Sequence, residues 1–137
     1  MSYLLDTNVL SETRKRNRNP SVTEWLSVTI QERMHVSVLT IGEIGHGITQ
    51  LRARGDHRQA AVFERWLADV IHGFGRRIVP VTLEIAREWG AQSKVQPIPV
   101  IDALIAATAK VHGWTLVTRN VKDFDSTGVR VLNPCTG

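Results

Sequence analysis

The sequence predicts an α/β fold, with a mostly parallel central sheet flanked by helices. Three observations lead there. Short apolar, β-branched runs alternate with segments of helical periodicity from end to end. The strand-like runs are apolar almost throughout, as in strands covered on both faces. No internal repeat, low-complexity stretch or interdomain linker interrupts the 137 residues, so residues 1–137 read as one domain with enough chain to bury a core.

Taken in order, Tyr3 to Leu5 reads as a short strand, and Thr7 or Asn8 as the cap of a helical turn through Ser11 and Glu12. Arg14 to Asn19 is a basic loop, and Pro20 suits the first turn of a helix whose apolar positions are Val22, Trp25, Leu26 and Ile30. His35 to Leu39 is a strand. A helix follows from Thr40, with Ile41, Ile44, Ile48 and Leu51 on one stripe. Gly42, Gly45 and Gly47 lie within it, each costing about 1 kcal/mol against Ala, which points to close packing or a close approach by another chain, with plain tolerance as the alternative. After Gly55-Asp56, Phe63, Leu67, Val70, Ile71 and Phe74 mark an amphipathic helix ended by Gly73 and Gly75. Ile78 to Val81 is a strand, and Thr82 caps a helix carrying Leu83, Ala86 and Trp89. Pro97 and Pro99 mark a connection to Val100–His112, apolar nearly all round and therefore a buried helix, which Gly113 ends. Trp114 to Thr118 and Val129 to Leu132 are the last strands.

Lys and Arg number 17 against 13 Asp and Glu, a net charge of +4 that favours a polyanionic partner. The charge is clustered at Arg14-Lys15-Arg16-Asn17-Arg18, at Arg52 and Arg54, and at Arg76-Arg77. Solvated surface accounts for such clusters equally well when each is taken alone. The apolar runs fall far short of the roughly 20 residues of a membrane span, and no secretory signal opens the chain. The lone Cys135 has no disulfide partner in the chain, consistent with a cytoplasmic protein.

Against this basic background four acids stand where strands end or helices begin: Asp6, Glu43, Asp102 and Asp123. In an open α/β sheet those places share one edge, where ligands bind. Clustered carboxylates suppress one another's ionisation, and their natural counterpart is a hard cation such as Mg²⁺ or Mn²⁺. Such a site suits phosphodiester hydrolysis, in which the metal polarises the phosphoryl oxygen and activates a water. Thr7, Asn8 and Ser11 beside Asp6, and Thr118 and Asn120 before Asp123, are suited to orienting carboxylates or water. Each acid also has a structural explanation. Asp6 and Asp102 suit helix caps, Glu43 a first-turn residue favoured by the helix dipole, and Asp123 a turn. Asp102 has the strongest case for chemistry, because a charge in so apolar a helix is costly unless paired or bound. Glu12, Glu24 and Asp69 read as surface.

Other chemistries lack their motifs. There is no HExxH, no phosphate loop ending in Lys-Ser/Thr and no GxSxG elbow, and the five histidines form no recognisable site. The four tryptophans read as core or interface residues.

The segments Leu4-Leu-Asp6-Thr-Asn8-Val-Leu-Ser11-Glu12, Ser37-Val-Leu-Thr40-Ile-Gly-Glu43-Ile44, Ile101-Asp102-Ala103-Leu-Ile105-Ala106-Ala107-Thr108-Ala109 and Thr118-Arg-Asn120-Val-Lys-Asp123-Phe124 resemble, in order, the motifs of PIN-domain nucleases, especially VapC-type and FitB-like toxins. Gly128-Val-Arg-Val-Leu-Asn-Pro134 is similar to their closing segment. The resemblance implies a PIN-like three-layer fold and a Mg²⁺- or Mn²⁺-dependent endoribonuclease of a type II toxin–antitoxin pair. Asp6, Glu43 and Asp102 carry over as metal-site acids. Many relatives carry an acid at the place of Asn120; here Asp123 is assigned the fourth position, with Asn120 contacting water or metal indirectly. A homodimer is implied, with a VapB- or FitA-like antitoxin as partner and operator DNA reached only through that antitoxin. The competing reading is a weakly active PIN-fold subunit of the repressor complex. A DNA or flap nuclease is a third, although nothing resembles the helical arch that flap nucleases need.

Overall fold

The computed structural model describes residues 1–92 and 98–136, so the expected connecting residue Pro97 lies outside the described segments. Five strands form one parallel sheet in the order β3-β2-β1-β4-β5: β1 is Tyr3–Leu5, β2 Met34–Ser37, β3 Ile78–Val79, β4 Thr115–Val117 and β5 Val131–Leu132. The chain adds β2 and β3 on one side of β1, then crosses to place β4 and β5 on the other. The order therefore reverses between β1 and β4, the kind of switch point where open α/β sheets leave a crevice beyond their strand C-termini.

Successive residues of a strand face opposite sides, and β1 shows the consequence. Leu5 packs with Val36 and Val117 under α1 (Thr7–Leu10), α2 (Pro20–Val28), α3 (Val38–Ala53) and α4 (His57–Phe74). Leu4 packs on the other face with Leu116, Phe124 and the small residues of α6 (Val100–His112). Ala106 and Ala109 of α6 are completely buried, and their small size lets the helix lie close on the sheet. Gly113 ends α6 at φ 71°, in the left-handed region open to a residue without Cβ. The third layer is completed by α5 (Leu83–Ala91), which packs against α6.

Several boundaries differ from the sequence expectation. Of the caps expected for α1, the structure uses the Asp6 side chain and not that of Thr7 or Asn8. Ser37 caps α3 through the Leu39 N–H, so Val38 and Leu39 open the helix instead of extending β2, and Glu43 falls in its second turn. Ile30 lies beyond α2 and is exposed. On α5 Thr82 is the cap as expected, but Ile85 is the buried residue, while Leu83 is 76% and Trp89 40% exposed. Among the described residues nothing stands within 4 Å of a Cβ built on Gly42, Gly45 or Gly47, so packing among those residues does not explain the glycines.

Glu12 is the clearest surprise. It reads as surface in sequence, yet it is 6% exposed. It follows α1 in a 3₁₀ turn, Ser11–Arg14, where its carboxylate accepts the Asn19 N–H at 2.9 Å and pairs with Lys15 at 2.8 Å. The Lys15 bond first, then the Asn19 N–H, hold its carboxyl below the usual range. Glu12 thereby pins the basic loop to the entrance of α2, where Asn19 caps the helix and Pro20 occupies the first turn. Arg77 also belongs to the framework: its guanidinium donates to the carbonyls of Gln31, Met34 and Gly73 at 2.6, 2.8 and 2.9 Å, which removes it from the expected basic surface.

Candidate functional site

The candidate site at the switch point is built from the residues that immediately follow β1 and β4. Leu5 pairs with Val117 in register, so Asp6 and Thr118 emerge side by side. The Asp6 N–H donates to the Val117 carbonyl at 2.9 Å, continuing the ladder one step beyond the strand. The Asp6 side chain then serves two purposes. Oδ1 accepts the Thr7 N–H at 2.8 Å as the cap of α1, and Oδ2 accepts the Thr118 hydroxyl at 2.8 Å. Asn8 braces the pair: its amide N–H₂ reaches Asp6 Oδ2 at 3.4 Å and Thr118 Oγ1 at 3.3 Å, while its Oδ1 accepts the Arg119 N–H at 3.2 Å. The cap bond occupies one oxygen of the Asp6 carboxylate and so fixes the direction of the other.

Glu43 reaches the same edge from α3. The Thr7 hydroxyl donates to its Oε1 at 2.7 Å, and the fully buried Thr40 hydroxyl lies 3.4 Å from that of Thr7. Thr40 escapes the sequence reading, although it stands one helical turn before Glu43 and so shares its face. Asp102 lies in the first turn of α6, and the turn is not capped by a side chain. Asp102 thus has no structural role of the kind its position suggested. Asp123 is exposed, in a 3₁₀ segment Val121–Thr127 after β4, and the Asn120 N–H donates to Thr118 Oγ1 at 3.1 Å. Ser11 does not join this network. It lies with Thr7 on the wall of a neighbouring cavity.

The electrostatics bind the four acids together. Burial, then the carboxylates of Asp6, Glu43 and Asp123, push the Asp102 carboxyl up to about 6. Burial also raises Asp6, opposed by the Thr118 and Thr7 hydrogen bonds and assisted by Asp123. Two acids, one just beyond β1 and one in α6, are both raised, in part by Asp123, and form an environment that favours a cation. Among the described residues no three Asp, Glu, His or Cys side chains are arranged to hold one ion together. The oxygen donor set still fits Mg²⁺ or Mn²⁺, since Mg²⁺ commonly takes one or two carboxylates and completes its shell with water.

The match to known proteins accords with this architecture. The family model described as the PIN domain matches residues 3–129. The chain belongs to the PIN domain family. Among curated PIN-family relatives, it is 30% identical to the VapC ribonuclease Y4jK of Sinorhizobium fredii, over 96% of both chains. It is 32% identical to the toxin FitB of Neisseria gonorrhoeae, again over 96% of both. The solved structure of FitAB bound to an IR36 DNA fragment aligns with a TM-score of 0.85 at 31% identity, covering 97% of this chain and 95% of that one. The five-stranded parallel sheet between helical layers is the PIN architecture, and no helix among the described residues is long and apolar enough to cross a membrane.

Proposed function

We propose that this PIN domain, taken as one unit over residues 1–137, is a divalent-metal-dependent endoribonuclease, the toxin of a VapC- or FitB-type toxin–antitoxin pair. The observation that carries the reading is Asp102, raised to about 6 in an apolar helix by burial and by three other carboxylates. Asp6 and Asp102 would hold Mg²⁺ or Mn²⁺, with Glu43 and Asp123 completing the shell through water or holding a second ion. When bound, the ion supplies charge that stabilises the phosphoryl oxygens in the transition state and makes a water more acidic. Thr7, Asn8 and Thr118 set the directions of Asp6 and Glu43 beforehand, so that little reorganisation accompanies the reaction. Asn120 is placed beside this network through its backbone, with its side chain left to contact water. Hydrolysis of the RNA phosphodiester leaves 5′-phosphate and 3′-hydroxyl ends.

The partners follow from the relatives. A FitA- or VapB-like antitoxin keeps the site silent and connects the complex to operator DNA, a role supported by the FitAB–DNA neighbour. A homodimer is supported by the exposed apolar side chains of Leu83 and Trp89 on α5 and Val100 at the start of α6, which are 76, 40 and 57% exposed.

The test is cleavage of single-stranded RNA by the purified chain with Mg²⁺, with and without EDTA, beside Asp102→Asn. Cleavage that disappears in both controls supports the enzyme. Undiminished cleavage by Asp102→Asn sinks the site. Absence of cleavage by the wild type with every divalent ion favours a binding subunit instead.

A further inference from the structure

Next to the acids lies a cavity of about 400 Å³ between α1 with its 3₁₀ extension, α3 and α4. Its walls are single helical faces: Thr7 and Arg14 from the first, Gly47, Gln50 and Arg54 from the second, Phe63 and Trp66 from the third. Thr7 is shared with the acidic site, where its hydroxyl holds Glu43. No Asp or Glu is among the residues that line the cavity, and its two cations are Arg14 and Arg54. Arg14 lies over the Phe63 ring at 4.3 Å and, among the described residues, pairs with no acid, whereas Arg52, Lys15 and Lys110 are engaged with Glu64, Glu12 and Glu88. At Gly47 a Cβ would meet nothing within 4 Å, so the glycine keeps the space open and is not required by neighbours. The volume lies within the range of about 300–1,000 Å³ typical of small-molecule sites.

Resting on the ribonuclease reading above, we propose that this cavity holds the nucleotide adjoining the cleaved phosphate of single-stranded RNA. Arg14 and Arg54 meet its phosphate, the Phe63 and Trp66 side chains form an aromatic wall for the base, and Gln50 hydrogen-bonds the base edge. The two arginines without an acid in the lining, and the continuity through Thr7 with the acids, favour a polyanion whose next phosphate lies at Asp6 and Asp102.

The experiment measures binding separately from cleavage. Fluorescence anisotropy of a labelled single-stranded RNA is recorded in EDTA, so that nothing is cut, for the wild type, Arg54→Ala and Gly47→Leu. Leu has higher helix propensity than Gly, so Gly47→Leu fills the cavity without weakening α3. Affinity is expected to fall about tenfold in both variants, and the slope of log affinity against log salt to shrink by about 0.7 in Arg54→Ala, as for one lost phosphate contact. Gln50→Ala relaxes the base preference at one position next to the cut. RNA affinity and salt slope within twofold of wild type in both variants overturn the assignment. Gly47→Leu that keeps RNA affinity but no longer binds the antitoxin overturns it too, and makes the cavity a protein-docking site. The ribonuclease reading fails on a different result, metal-independent cleavage or an active Asp102→Asn.

Discussion

The Thr118 hydroxyl donates to Asp6 at 2.8 Å across a sequence separation of 112 residues, joining the first residues beyond β1 and β4. The bond opposes the burial that raises Asp6. Thr118→Val keeps the shape and removes the donor. The Asp6 pKa is expected to rise further, read by NMR titration of the carboxyl carbon. Unfolding stability is expected to fall by about 1–3 kcal/mol, because a buried carboxylate loses a partner. An unchanged Asp6 titration would show that the hydroxyl does not tune it.

The raised carboxyls make stability depend on pH in a defined direction. Asp102 moves from an ordinary 3.8 to about 6 in the folded protein. Between those values the folded state binds more protons than the unfolded one, so stability of the metal-free protein falls as pH rises through that window. Asp102→Asn is expected to flatten the dependence. Mg²⁺ acts oppositely, since it binds the ionised carboxylates. It should raise Tm more at pH 7.5 than at pH 5 in wild type and by less in Asp102→Asn. Equal Tm increments at both pH values would argue against carboxylate binding of the ion.

Thr7 connects the cap of α1 with Glu43 and is tested by a pair of variants. Thr7→Val removes the 2.7 Å hydrogen bond to Glu43, and Thr7→Ser retains the hydroxyl. Cleavage is expected to drop at least tenfold in Thr7→Val and to recover largely in Thr7→Ser, while both stay folded by circular dichroism. Equal loss in the two variants would point to the methyl group and to packing.

Glu12 is a prediction about stability alone. Its folded pKa is depressed, so its contribution is present above about pH 4.5 and is lost as pH falls through the folded value. Glu12→Gln is expected to cost about 1–2 kcal/mol in urea denaturation at pH 7. Cleavage per folded molecule should change little. A large activity loss with intact stability would place the 15–19 loop in the active site.

Much of this molecule is visible in one dimension. The alternation of apolar runs with helical stripes, the Pro20 start and Gly113 stop, and the oddity of Asp102 inside the apolar α6 are local signals, and local physics produces them. That the strands run parallel also follows, since apolar strands joined by helical crossovers are covered on both faces; their order does not. What the periodicity could not contain is which segments meet. Whether α5 turns Ile85 or Leu83 inward depends on where α6 lies. Whether Glu12 is solvated depends on Asn19 returning to it, and whether Arg77 is a surface charge depends on three carbonyls from separate elements. The site divides in the same way. The sequence by itself determined that four acids stand near strand ends and helix starts. Only the tertiary structure decided that Asp6 and Thr118 share an edge, that Thr7 holds Glu43, and that Arg14 and Arg54 line one cavity with Thr7. Hydrogen-bond partners separated by tens of residues leave no periodic trace, because chain closure and packing, not local conformation, bring them together.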